Sequence, residues 1–162
     1  MRMKQPIFLL VALLAFVAHA QEPQLSPDAP KDKPVQIYTK DGEASLNAAE
    51  APYIAKARST YPVAKATFLA GLPQGEIFFA TTILHDNNGA AEQVFIEVNS
   101  IQGDHIIGHI ASQLSVVKGF QNGQFYTFPE SALIDWLITH ADGSEEGNYV
   151  GKFLDTYHGA GV

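Results

Sequence analysis

The sequence predicts an α+β domain, in which a meandering, strongly twisted antiparallel sheet of about five strands is covered by an N-terminal kinked helix and a short C-terminal helix. Two observations predict it. Apolar residues recur at helical spacing up to Gly71, alternate with a period of two from Glu76, and return to helical spacing from Tyr149. Turn sequences rich in glycine and asparagine separate the alternating stretches, so consecutive strands are expected to pair as hairpins.

The N-terminal part of the domain is predicted to be helical. An alanine-rich stretch opens it, and Ile54, Ala57 and Tyr61 then follow helical spacing. Pro52 and Pro62 fall inside this stretch, and proline removes a backbone hydrogen bond from a helix interior. The alternatives are therefore a helix pair and one kinked helix lying on the sheet.

The alternating stretch predicts the strands and the turns between them. The predicted strands span 77–84, 94–98, 105–110, 124–128 and 133–139, with turns at 86–89, 102–104 and 129–132. Residues 141–147 are predicted to form a polar, acidic loop. A short C-terminal helix follows, in which Asn148 can cap the start and Gly159 the end, with a last strand as the alternative.

The first twenty residues have the layout of a cleavable secretory signal. Arg2 and Lys4 precede an apolar run at 7–18, and the Ala-His-Ala at 18–20 presents small residues to a signal peptidase. The apolar run falls well short of the roughly 20 residues that a membrane span needs. We expect cleavage after Ala20 and a periplasmic or secreted protein with no membrane attachment; an uncleaved N-terminal anchor is the alternative.

The rest of the chain divides into a proline-rich flexible tether at 21–43 and a single domain at 44–162. The chain has no cysteine, which excludes a disulfide framework, a thiol nucleophile and a cysteine-ligated metal. After cleavage, eight of the ten basic residues remain against all seventeen acidic ones, so the formal charge is −9. Because such a surface repels phosphates and anionic lipids, we expect no nucleic acid or membrane as a partner, and no motif indicates a cofactor.

An ordered series of short motifs runs through the domain. In chain order, these are Lys118-Gly119-Phe120, Asn122-Gly123, Phe128-Pro129, Asp135-Trp136 and a glycine loop ahead of Tyr149. Their order and spacing resemble the YegJ-like family of bacterial domains over roughly 46–154. The resemblance implies the fold and an exported location, and it brings no established activity.

Histidine and aspartate residues of the predicted sheet are the candidates for catalysis, namely Asp135, His105, His109 and His85. Histidines four residues apart converge on one zinc ion when they lie on a helix. On a strand, His105 and His109 are about 13 Å apart, so we expect no metal site. Asp135 lies between two leucines and could act as an acid or base with a raised pKa, or accept hydrogen bonds from the backbone of a neighbouring loop. These residues define the alternative function, a small periplasmic hydrolase or metal-dependent enzyme.

The leading interpretation is a non-enzymatic periplasmic binding protein with a protein partner in the cell envelope. One version of it is an inhibitor or immunity-type protein. The acidic loop with Asp142, Glu145 and Glu146 is the first candidate surface, because it suits a basic partner. Trp136 either belongs to the core or, if partly exposed beside Tyr126, anchors a peptide or a sugar ring. A structural domain that self-associates through a sheet edge is a third hypothesis.

Overall fold

The computed structural model describes the backbone of residues 40–157 and the side chains of residues 45–157. This part of the chain forms, in order, α1 (Lys40–Ala70), β1 (Ile77–His85), β2 (Ala91–Gln102), β3 (His105–Ile110), β4 (Phe125–Pro129), β5 (Asp135–Thr139), β6 (Glu145–Gly147) and α2 (Tyr149–Thr156). The predicted signal at 1–20, the tether up to residue 39 and the expected cap at Gly159 lie outside the described residues. None of the described helices is both long and apolar enough to cross a membrane.

The described strands form one open antiparallel sheet in the order β4-β3-β2-β1-β5-β6. The predicted α+β fold with helices at both ends of the domain is confirmed. The sheet has six strands rather than about five, because part of the predicted acidic loop forms β6. This short strand pairs with the end of β5, and Gly147 lies opposite Leu137.

One face of the sheet, called here the first face, packs against α1 and α2. Alternate residues of β1 to β5 point to this side and form the main hydrophobic core. Ala57, Tyr61 and Ala64 of α1 pack against them. Trp136 is buried there, and its indole N–H donates to the carbonyl oxygen of Ala57 at 3.1 Å and to Thr60 Oγ1 at 3.0 Å. Trp136 is therefore a core residue that joins β5 to α1.

The β4–β5 connection carries the chain from one side of the β1–β4 meander to the other. It contains a 3-10 turn at Glu130–Ala132. Arg58 Nε on α1 donates to the carbonyl oxygen of Leu133 at 2.8 Å, and Thr82 Oγ1 on β1 donates to that of Ala132 at 3.1 Å. These bonds fix the crossing segment between the helix and the sheet.

The opposite face of the sheet, called here the second face, carries a smaller apolar cluster. Its members are Phe79, Ala111 and Leu137, with Ile77 and Phe95 packed against them. One row of residues crosses this face in register, from Phe125 on β4 through His109, Glu97 and Phe79 to Leu137 on β5. Leu137 and Phe79 are buried, Glu97 and His109 are half-buried, and Phe125 is 64% exposed. The β4 side of the second face is thus the accessible one.

α1 is one continuous helix, so the alternative of a helix pair is wrong. Pro52 and Pro62 both lie on its exposed side, where water can satisfy the carbonyl groups that lose an N–H partner. The helix begins at Lys40 and so includes the last residues of the predicted tether. α2 packs beside α1, and the rings of Tyr53 and Phe153 stack with centroids 4.4 Å apart.

The pairing of β2 with β3 contains an irregularity. The register shifts between Val98 and Ser100, which leaves Asn99 as an extra residue on β2. Gly108 lies opposite Val98, and a Cβ at this position would overlap the carbonyl oxygen of Glu97. The close approach of the two backbones therefore requires glycine here.

The long loop between β3 and β4, residues 111–124, is held by two carboxylates from the β1–β2 hairpin. Glu92 is buried and accepts hydrogen bonds from the backbone N–H groups of residues 115–117 at 2.8 to 3.0 Å. Asp86 accepts one from the backbone of Lys118 at 3.0 Å. Burial acts to raise the pKa of Glu92, but the backbone donors outweigh it and hold that pKa below its ordinary range.

Candidate functional site

Two residues of the enzymatic interpretation lie at opposite ends of β2. His85 lies opposite Ala91 at the start of β2, whereas His105 lies opposite Gln102 at its end. The strand between these points rises about 35 Å. The two imidazoles therefore cannot act on one substrate atom or share one ligand.

His109 lies on the second face, in the middle of β3. Its ring packs against Phe125 with centroids 4.0 Å apart, and its cross-strand neighbour is Glu97. Burial raises the pKa of Glu97, and the nearby imidazole opposes that rise. Among the described residues, no group of three or more histidine, aspartate or glutamate side chains is placed to hold a metal ion.

Asp135 is the first residue of β5. Its buried carboxylate accepts hydrogen bonds from backbone N–H groups, one of them at the start of α2. Its Oδ2 accepts the N–H of Val150 at 2.6 Å, and its Oδ1 accepts the N–H of Trp136 at 2.8 Å. Burial raises the pKa of Asp135 to about 6, while backbone N–H groups of residues 149–151 act to lower it. The sequence left two roles open for Asp135, and this geometry is that of a structural carboxylate that fixes a neighbouring segment.

Asn148 occupies the residue before α2, as the sequence predicted, but its side chain makes no capping hydrogen bond. Its backbone is left-handed, with φ 56° and ψ 45°, and its amide group donates to the Glu145 carboxylate at 3.2 Å. The predicted cap is therefore wrong. The carboxylate of Asp135, thirteen residues earlier on β5, takes that place because it accepts the N–H of Val150 in the first turn.

The structure places Trp136 in the core and does not bring it beside Tyr126. Trp136 is only 2% exposed, and its indole N–H is satisfied inside the core. Tyr126 lies on β4, and β3, β2 and β1 separate that strand from β5. Tyr126 packs instead between Phe120 and Phe128, with ring centroids 6.1 Å away in each case.

The acidic residues predicted as a binding surface lie on the β5–β6 hairpin, residues 139–147, called here the acidic hairpin. The backbone of His140 donates to the carbonyl oxygen of Ser144 at 2.8 Å and closes the turn. Asp142 Oδ1 accepts the hydroxyl and the N–H of Ser144 at 2.6 and 2.9 Å, and these bonds hold the pKa of Asp142 below its ordinary range. Asp142 and Glu146 are exposed, so the hairpin presents two carboxylates on an ordered turn.

A histidine lies among these carboxylates. His140 Nδ1 lies 2.9 Å from Glu76 Oε1 in the α1–β1 loop. The hydrogen bond to Glu76 raises the pKa of His140, and the negative charges of Glu76, Asp142 and Glu146 add to the rise. On the other side of the hairpin, Glu145 pairs with Lys152 of α2 at 3.0 Å. The environment of the acidic hairpin thus favours positive charge.

The carboxyl of Glu50 is a buried group that the sequence patterns did not predict. This side chain is 4% exposed on α1, and its Oε1 has no hydrogen-bond partner within the described residues. Burial raises its pKa to about 7. The helical spacing could have indicated this burial, because Glu50 lies on the same side of α1 as the buried residues Leu46, Ala57 and Tyr61.

Comparison with known proteins identifies no relative, since no family model, no curated protein and no solved structure matches the chain. Membership of the YegJ-like family thus stays a prediction from the motifs.

Proposed function

We propose that this protein is an exported, non-enzymatic binding domain that captures a basic partner protein of the cell envelope through the acidic hairpin. The observation that carries the proposal is the position of His140 among Glu76, Asp142 and Glu146, which together favour the charged imidazole. A lysine or arginine of a partner that approaches this hairpin meets the same carboxylates. Opposite charge of this kind speeds encounter and selects the partner.

The order of the hairpin supports the same proposal. Ser144 and the backbone of His140 hold the turn, and Lys152 fixes Glu145 against α2. A surface that is ordered before binding loses less conformational entropy when the partner arrives. The excess of acidic residues in the chain acts in the same direction, because it attracts a basic protein from a distance.

Site-specific photo-crosslinking in the producing cells tests the proposal. The crosslinker replaces Ala141, which is exposed in the turn of the acidic hairpin. We expect an adduct with a second, basic protein, and a several-fold smaller yield when Glu146→Gln is added. Asn87→Lys is the matched control, because it changes the net charge by the same amount at the exposed β1–β2 turn, and it should leave the yield unchanged.

Two results count against the proposal. Without any adduct at position 141, the acidic hairpin is not the binding surface. An equal loss of yield in Glu146→Gln and Asn87→Lys would mean that net charge, and not this hairpin, controls capture.

The enzymatic alternative gains no support from the geometry. It requires at least three of its four residues in one cleft, whereas His85 and His105 lie at opposite ends of β2. The fourth, Asp135, uses both carboxylate oxygens on backbone N–H groups. An acid or base in catalysis needs an oxygen free to reach the substrate.

A further inference from the structure

The two edges of the sheet differ in chemistry. β6 carries Glu145 and Glu146, and charged side chains on an edge strand disfavour pairing with another strand. β4 carries no charged residue, and Phe125, Tyr126 and Phe128 make it mostly aromatic. Its single protective feature is Pro129 at one end. β4 is therefore the edge that is open to a further strand.

The hydrogen-bond pattern fixes which residues of β4 bind β3. The N–H of Ile110 donates to the carbonyl oxygen of Gln124 at 2.9 Å, one residue beyond the pair of His109 and Phe125. In an antiparallel ladder this makes His109 and Phe125 a non-hydrogen-bonded pair, so the next residue, Tyr126, exchanges both of its bonds with β3. Phe128 follows in the same way two residues later.

Phe125 and Thr127 consequently direct their backbone groups away from the sheet. Within the described part of the chain, no strand or hydrogen bond engages these two N–H and two C=O groups. Both side chains are exposed, Phe125 to 64%. Four polar backbone groups beside a large exposed ring form a surface that another strand can cover.

We propose that β4 pairs with β4 of a second copy of this chain, in antiparallel orientation about a two-fold axis at Tyr126. In this arrangement Phe125 of each copy lies opposite Thr127 of the other. Each such pair exchanges two hydrogen bonds. The four bonds satisfy all the outward N–H and C=O groups of both residues on both copies, and the two sheets join into one.

The sequence of β4 allows this register and disfavours the two registers shifted by one residue. Moving the axis to Thr127 places Phe125 opposite Pro129, which has no N–H to donate. Moving it to Phe125 places Thr127 opposite Gly123, whose N–H already bonds to the carbonyl oxygen of Ile110 at 2.8 Å. The register centred on Tyr126 is the one that leaves none of these groups without a partner.

The charge distribution leaves β4 as the edge at which two copies can meet. Two strongly acidic molecules repel each other, and β4 is a strand along which their backbones can meet without placing carboxylates side by side. The contact is short, so a weak dimer is expected, with a dissociation constant on the order of 100 µM. This self-association is independent of the proposed capture of a basic partner by the acidic hairpin.

Sedimentation equilibrium of the chain from Gln21 onward, at near-physiological salt and from about 10 µM to about 1 mM, tests the proposal. Thr127→Pro removes an outward N–H without touching the bonds to β3, and it should weaken the dimer at least about tenfold. Thr127→Val is the matched control, because it keeps the N–H and should dimerise like the natural protein. Phe125→Lys, which adds charge to the edge, should also give a monomer. The fluorescence of the buried Trp136 verifies that each variant is folded.

A protein that stays monomeric at about 1 mM would overturn the proposal, as would Thr127→Pro or Phe125→Lys dimerising as tightly as the natural sequence. A synthetic peptide with the sequence of residues 123–129 serves as a second probe. If this peptide shifts the amide resonances of Phe125 and Thr127 while the protein itself remains monomeric, the edge receives a foreign strand and pairing between copies is refuted.

Discussion

Replacing Glu50 by glutamine tests whether the buried carboxyl of α1 limits stability at neutral and alkaline pH. Burial raises the pKa of Glu50 from 4.5 to about 7. Between these values the folded protein holds a proton at this site that the unfolded chain has lost, so the free energy of unfolding falls as the pH rises. At about 1.4 kcal/mol per pKa unit, the penalty above pH 7 is about 3 kcal/mol.

Glu50→Gln removes this titration and keeps the shape of the side chain. The quantity to measure is the free energy of unfolding of the variant minus that of the natural protein. We expect this difference to increase by about 3 kcal/mol in favour of the variant from about pH 4.5 to about pH 8. Any constant cost of burying the amide, and every other titrating group, cancels when the two pH values are compared.

Urea denaturation followed by fluorescence gives these free energies, because Trp136 is the single tryptophan and is buried. Asn47→Gln on the same helix is the control, since it changes an exposed side chain that does not titrate. Its difference from the natural protein should stay nearly constant with pH. If the Glu50→Gln difference is equally flat, the carboxyl is solvated in the folded protein and the reasoning from burial is refuted.

Three further outcomes follow from the contacts described above. Gly108→Ala should lower the free energy of unfolding by about 2 to 4 kcal/mol in urea, because its Cβ overlaps the Glu97 carbonyl oxygen. Asp135→Asn should lower it by about 1 to 3 kcal/mol at pH 8, because the amide has one acceptor oxygen where the carboxylate uses two. Glu76→Gln should lower the pKa of His140 in an NMR titration. The stability gained from this ion pair should be complete below the unfolded pKa of the histidine and disappear as the pH rises through its folded pKa.

Periodicity was enough to predict the elements that alternate burial along their own length. β3 shows this directly, since Ile106 and Ile110 are buried while His105 is exposed. β6 could not be found in this way. It has three residues, two of them glutamates, and it forms because the end of β5 offers a partner for pairing. Contacts of this kind depend on the folded sheet and leave no period in the sequence.

In the candidate site, too, some features could be predicted from local residues and others depend on the folded structure. The strand geometry that separates His105 from His109 could be predicted from local residues, because a strand has a fixed rise. The role of Asp135 could not, since it depends on where α2 begins relative to β5. For Trp136, both burial and exposure were compatible with the alternation, and the position of α1 decides between them.

The bonds between Glu92 and the β3–β4 loop have a consequence for a protein without cysteine. They join the carboxylate to backbone 23 to 25 residues away, so they close a ring of chain as a covalent cross-link would. Such a non-covalent link is insensitive to oxidants and reductants, unlike the disulfides that stabilise many exported domains. It breaks instead when the Glu92 carboxylate is protonated. Because the pKa of Glu92 lies below its ordinary value, the link is fully formed above the pKa of this group in the unfolded chain. It is lost as the pH falls through the pKa of Glu92 in the folded protein.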